Sequence, residues 1–413
     1  MRTPARLLAI SATLLACLLA TGTRSAPITA PPRPEYLVKT PQPNLIDESL
    51  VRITDPGAAV AGLDLSWGSV ARHRYSSSQV WNADESLLAV EKGVAGILFL
   101  DGRSYRPLFR RDALGACEWH PLDPDLMVCV RQHQVIGWNV RTDSLSVLFA
   151  TDAYGALAFG PGKGNLSRDG RYIALRGADG STAFVVDLAS GTKYRDISLR
   201  RLDGVNGYVT VSPSGRYVVA WQKVRPDGSD ATVYQTFIFS RNGALVQSWR
   251  ENHRPGHGDF TLDADGSDIM VGVSKADPDR YQVIKRRLSD GKITVLTPRP
   301  GLTQHVSARN VGEPGWVYVT YGGSAADLLD RPNWDPFYQE IVAVRLDGSG
   351  ETRPIARTYS VRAGYLSEAQ GSPSPDGSKV AFASNWSDTS GSIALYVAES
   401  ARAARTAKQS ELQ

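Results

Sequence analysis

Two histidine-bearing segments hold the side chains best placed for chemistry: Pro255-Gly256-His257-Gly258-Asp259 and Gln304-His305-Val306-Ser307-Ala308-Arg309-Asn310. A third polar group, Glu368-Ala369-Gln370, stands just ahead of the turn Ser374-Pro375-Asp376-Gly377. Residues 321–339 set Trp334, Phe337 and Tyr338 among Asp327, Asp330, Arg331 and Asp335, with Lys223, Lys275 and Arg362 as further cations. Aromatic faces beside basic side chains and amide donors suit an anionic sugar or a peptide. The remaining histidines, His73, His120, His133 and His253, show no ligand spacing and read as surface or turn residues. Gly160-Pro161-Gly162-Lys163-Gly164 lacks the rest of a phosphate-binding loop, and no Gly-x-Ser-x-Gly elbow supports serine hydrolysis.

What must position these residues is a repeat. Residues 372–386 begin with a Pro-Asp-Gly turn, where proline presets φ, Asp caps a backbone N–H and glycine accepts φ > 0; a strand-period run follows. Looser copies start at Ser167-Arg168-Asp169-Gly170, Ser212-Pro213-Ser214-Gly215 and Asp263-Ala264-Asp265-Gly266, with degenerate ones at 82–90, 120–130 and 310–319. Their spacing, roughly 40–50 residues, is that of propeller blades. Outer hairpins carry their own signals, among them Asp101-Gly102, Asn242-Gly243, Asp290-Gly291 and Asp347-Gly348. The expectation is an all-β, seven-bladed β-propeller of four-stranded antiparallel blades spanning 49–400. Its last blade lacks a fourth strand, and the alternating segment 50–54 is the natural donor, so an N-terminal strand closes the ring. Residues entering the inner strands then cluster round the axis: Glu118, Asn165, Asn206, Tyr208, His257, Asp259, Gln304, His305, Glu368 and Gln370.

The Ser-Pro-Asp-Gly unit at blade spacing resembles the TolB-like propeller repeat, a resemblance that speaks to architecture more than to activity. The two histidine segments resemble the pore-side segments of oligogalacturonate lyases, which share this propeller and bind a divalent metal through His and Gln. That resemblance implies His257, Gln304 and His305 as metal ligands for Mn or Ca. It also implies catalytic roles for His257, His305 and Arg309, with Arg309 as partner to a uronate carboxylate. Such lyases tend to carry His-x-His where this chain has Glu368-Ala369-Gln370. The alternative for His257 and His305 is plain satisfaction of backbone groups at the pore mouth.

Arg2 and Arg6 precede the apolar run 7–20 and small residues follow, so 1–25 reads as a signal peptide; Leu14-Leu15-Ala16-Cys17 offers lipoprotein processing as an alternative. Residues 26–48 are proline-rich and read as a linker outside the fold; 401–413 reads as a disordered tail. The chain is expected to be periplasmic or secreted, monomeric, and without a transmembrane segment once the signal is removed. A net charge of +4 with no basic run sets nucleic acid aside. A hairpin centred on Asp123 opposes Trp119 to Met127, Glu118 to Val128 and Cys117 to Cys129, and an exported compartment supplies the oxidant for a disulfide. Two functions stand. The first is binding of a glycan or protein on the axial face, with Asn206, Tyr208, Gln304, Trp334, Tyr338, Glu368 and Gln370 as ligand contacts. The second is a polysaccharide lyase acting on uronate sugars by β-elimination.

Overall fold

Serine and asparagine side chains build the turns from which the blades grow. In three repeats the serine opening the turn, Ser167, Ser212 or Ser374, accepts through Oγ the backbone N–H five residues on. In the first blade Asn82 does the same for Leu87 through Oδ1. The turn glycines Gly170, Gly215 and Gly377 lie near φ 72–73° and donate back to those serines' carbonyls. The first blade has Glu85 in that left-handed position (φ 59°), which is why its copy of the repeat looks degenerate.

The computed structural model describes residues 29–42, 49–159, 166–199, 205–224, 233–251, 257–330 and 337–400. The signal-peptide and tail expectations (1–25, 401–413), and Asn165 and Trp334, lie outside them. The chain forms seven antiparallel sheets arranged as a propeller. The sixth blade shows the plan plainly: Thr303–Ser307, Trp316–Tyr321, Glu340–Arg345 and Thr352–Arg357, in that order from axis to rim. The first blade has three regular strands, and its innermost position is reduced to isolated bridges, Trp81 to Leu88 and Arg72 to Lys92.

Strand alternation explains the core. Leu87 and Ala89 face the second blade, whereas their neighbours Leu88 and Val90 face the seventh. Every interface between consecutive blades is filled this way, giving seven apolar clusters for seven blades. Each fully buried Leu, Val or Phe contributes about 1.5–3 kcal/mol, so an unclosed ring would forfeit a whole cluster. Closure comes from the N-terminus. Ser49–Arg52 pairs antiparallel with Ala394–Glu399, placing Leu50 opposite Ala398 and Val51 opposite Val397. Leu50 enters the cluster between blades six and seven, and Val51 the one between seven and one.

The described part of the proline-rich segment lies against the fold, unlike a free linker. Thr40–Pro41 adds a fifth strand beside Ser49–Arg52. Trp386 Nε1 donates to Pro31 O (2.7 Å), Arg33 Nε to Tyr396 Oη (3.0 Å) and Gln42 Nε2 to Ile355 O (3.3 Å). No helix among the described residues is long and apolar enough to cross a membrane.

Candidate functional site

The sixth blade's inner strand carries a bulge between Thr303 and His305, and His305 follows it wholly buried. Gln304, at the bulge, lies against Gly322, where even a Cβ would fall 2.0 Å from its amide nitrogen. His257 enters the fifth blade in the left-handed region (φ 58°), with its ring 4.5 Å from that of His305. From the seventh blade, Glu368 accepts a hydrogen bond from His305 Nε2 at 2.8 Å. The ligating atoms of His257, His305 and Glu368 all lie within 4.8 Å of one another. Two imidazole nitrogens and a carboxylate oxygen gathered this closely are the donor types that ligate a divalent first-row metal. Tyr75 sets its ring edge-on to His305 at 5.2 Å.

The other residues expected at this site have different duties. Arg309 is held bidentately by the fully buried Asp259, Nε to Oδ2 at 2.9 Å and Nη2 to Oδ1 at 3.0 Å. It also donates to Phe260 O. A guanidinium committed to a neighbouring blade is a strut, unlike the carboxylate reader expected of it. Tyr208 is packed between blades four and five against Trp221 and Phe260, with centroids at 5.9 and 6.0 Å. Tyr338 is buried over Gly323 beside the short helix Ala325–Asp330, and Phe337 packs tilted against Tyr321 with ring centroids 4.9 Å apart. The long loop therefore seals an interface where these residues are described. Asn206 occupies the fourth blade's inner strand opposite Gln222.

The sequence reading missed a segment of the first blade. Residues 72–75 thread the axis: Arg72 and His73 reach the seventh blade, Arg74 the second, and Tyr75 the ring of His305. His73 is a buried axial residue and not a surface one; burial, then the Arg72 charge, holds its imidazole well below the ordinary value. His120 is a turn residue, its Nδ1 accepting from Asp123 N at 2.9 Å. Glu118 faces inward and pairs with Arg74, which also meets Glu91 at 3.4 Å. Burial pushes the Glu118 carboxyl up to about 7, against the lowering effect of Arg74. Arg362 leaves 73 % of its side chain exposed, its Nε 3.7 Å from Glu368 Oε1. Beyond Glu118 the axis widens toward the turn face into a cavity lined by Trp81, Trp119, Phe260 and Arg168 among others.

Fold and site together define a seven-bladed propeller with a histidine–carboxylate cluster at its axial mouth. No described protein family matches the chain, and neither does any curated protein sequence. Among solved structures it is similar to an oligogalacturonate lyase in complex with manganese: 17 % identity and TM-score 0.57, covering 88 % of this chain and 95 % of that one. An oligogalacturonate lyase from Vibrio parahaemolyticus gives 11 % identity and TM-score 0.57 over 88 % and 96 %. At such identities the likeness is one of fold.

Proposed function

We propose that this protein is an exported propeller that binds an acidic glycan at its axial mouth through a divalent cation held by His257, His305 and Glu368. The convergence of those three side chains from three consecutive blades carries the reading. Two nitrogen donors favour a first-row ion such as Mn²⁺ over Ca²⁺, which prefers an all-oxygen shell. Bound there, the cation would supply a positive centre that neutralises a sugar carboxylate. Arg362, exposed beside Glu368, takes the carboxylate-reading part that Arg309 cannot, and Tyr75 and Tyr365 offer rims for a sugar ring. Export is supported by the N-terminal sequence, by the repeat's resemblance to TolB-like propellers, and by the Cys117–Cys129 disulfide.

Uronate lyase chemistry is the second reading, favoured by the shared fold of the lyases named above. It ranks second because the expected basic partner, Arg309, is bound to Asp259. Calorimetry with oligogalacturonate in the presence and absence of Mn²⁺ tests the proposal. Binding is expected only with Mn²⁺ and is lost in His305→Ala. Equal binding of a neutral oligosaccharide would overturn the acidic-ligand reading. Ultraviolet absorbance of unsaturated products in the same mixtures separates binding from turnover.

A further inference from the structure

Glu368 is not held in place by its own blade alone. It follows the short 3-10 turn Tyr365–Ser367, and Gln370, two residues on, sits in the left-handed region at φ 51°. A side-chain-bearing residue keeps that conformation only when its surroundings over-determine it. The surroundings here come from the first blade. Arg72 Nη1 donates to Glu368 O at 2.9 Å and also to Leu366 O, while Nη2 donates to Gln370 Oε1 at 2.6 Å. The next residue, His73, donates from Nε2 to Gln370 O at 2.7 Å. Arg72 and His73 are 0 % and 1 % exposed, and their bonds to Glu368 and Gln370 are buried. A fully buried guanidinium whose hydrogen bonds go to carbonyl and amide oxygens is expensive to keep.

We propose that Arg72 and His73 are the positioning residues of the axial site, a two-residue clamp from the first blade that sets where Glu368 meets His305. The clamp acts on the turn 366–370 as a unit: the fork of Arg72 fixes its start and the side chain of Gln370, and His73 fixes the Gln370 carbonyl. A lysine in place of Arg72 keeps the charge but cannot reach three oxygens from one planar group. Phenylalanine in place of His73 keeps much of the shape and loses the donor. Glutamine restores a donor to the same carbonyl. The link from this clamp to cation affinity rests on the reading under Proposed function; the positioning itself does not.

The experiment uses the whole protein labelled at histidine with nitrogen-15, which gives six residues to assign. The His305 ring signals, the Mn²⁺ affinity and the melting temperature are measured for wild type, Arg72→Lys, His73→Phe and His73→Gln. The clamp predicts that His305 signals move in the metal-free Arg72→Lys and His73→Phe proteins and return toward wild type in His73→Gln. Mn²⁺ affinity should fall about 10- to 100-fold in the first two, as expected when support behind a metal ligand is removed. If Arg72→Lys does not fold, the two His73 variants carry the same readout. Wild type that binds no Mn²⁺, with His305 signals that still respond to the clamp variants, would remove the cation reading and keep the clamp. His305 signals that stay put in a folded His73→Phe protein overturn the clamp, whatever the metal does.

Discussion

Asp259 decides what Arg309 is. Both its carboxylate oxygens are taken by one guanidinium, and Oδ2 also accepts from Ala308 N. Asp259→Ala would strand a mostly buried cation, and the expected cost is about 3–5 kcal/mol, read as a fall in melting temperature. Arg362→Ala, by contrast, should leave melting unchanged and weaken acidic-glycan binding about 10- to 100-fold, the worth of a charge-assisted hydrogen bond. Glu118 makes a separate prediction about pH. Its folded pKa, about 7, lies above its unfolded value, so the folded chain holds that proton where the unfolded chain has released it. Stability from this group therefore declines as pH rises from about 5 to about 7, with Arg74, Glu91, Arg309 and Asp259 as the charges that act on it. In Glu118→Gln that part of the pH dependence of the melting temperature should vanish. Of these residues, the sequence made His257, His305 and Glu368 legible because counting from Asp-Gly turns locates strand mouths. The Arg309–Asp259 pair was not legible, since it joins two blades and no spacing within a repeat encodes it. His73 escaped because the first blade's inner position is made of isolated bridges, with no regular strand whose alternation could be counted.

At the scale of elements, turn chemistry carried most of the information. The hairpin that joins Ala116–Trp119 to Leu126–Arg131 has the register read from its turn: Cys117 opposite Cys129, Glu118 opposite Val128 and Trp119 opposite Met127. The two cysteines are disulfide-bonded across it. Closing so short a loop is worth about 3 kcal/mol or less, so Cys129→Ser should lower stability by that amount without changing the fold. The described part of the proline-rich segment contacts the fold for a physical reason. Proline lacks an N–H and argues against a ladder, but it keeps its carbonyl, and Pro31 and Pro34 accept from Trp386 and Arg52. Truncation before residue 43 should therefore cost some stability. Truncation through residue 54 should cost far more and expose the seventh blade's edge, seen as aggregation on size-exclusion chromatography. Equal melting of the two truncated chains would contradict closure by Ser49–Arg52.

The whole molecule is a ring, and the ring is what makes a site from residues far apart in sequence, as with His305 and Glu368, 63 positions apart. Blade number and order follow from the repeat period, which any chain of this kind displays in its turns. Function does not follow from that period, because the same scaffold places whatever side chains its strand mouths carry at the axis. The account therefore stands on whether the three side chains at this mouth hold a cation. Mn²⁺ titration of the metal-stripped protein, followed by calorimetry and by metal analysis after dialysis, measures this directly. The account predicts one Mn²⁺ per chain, with binding abolished in His257→Ala, His305→Ala and Glu368→Ala while each variant remains folded. A wild-type protein that takes up no Mn²⁺, or one whose uptake is untouched by all three substitutions, would contradict it.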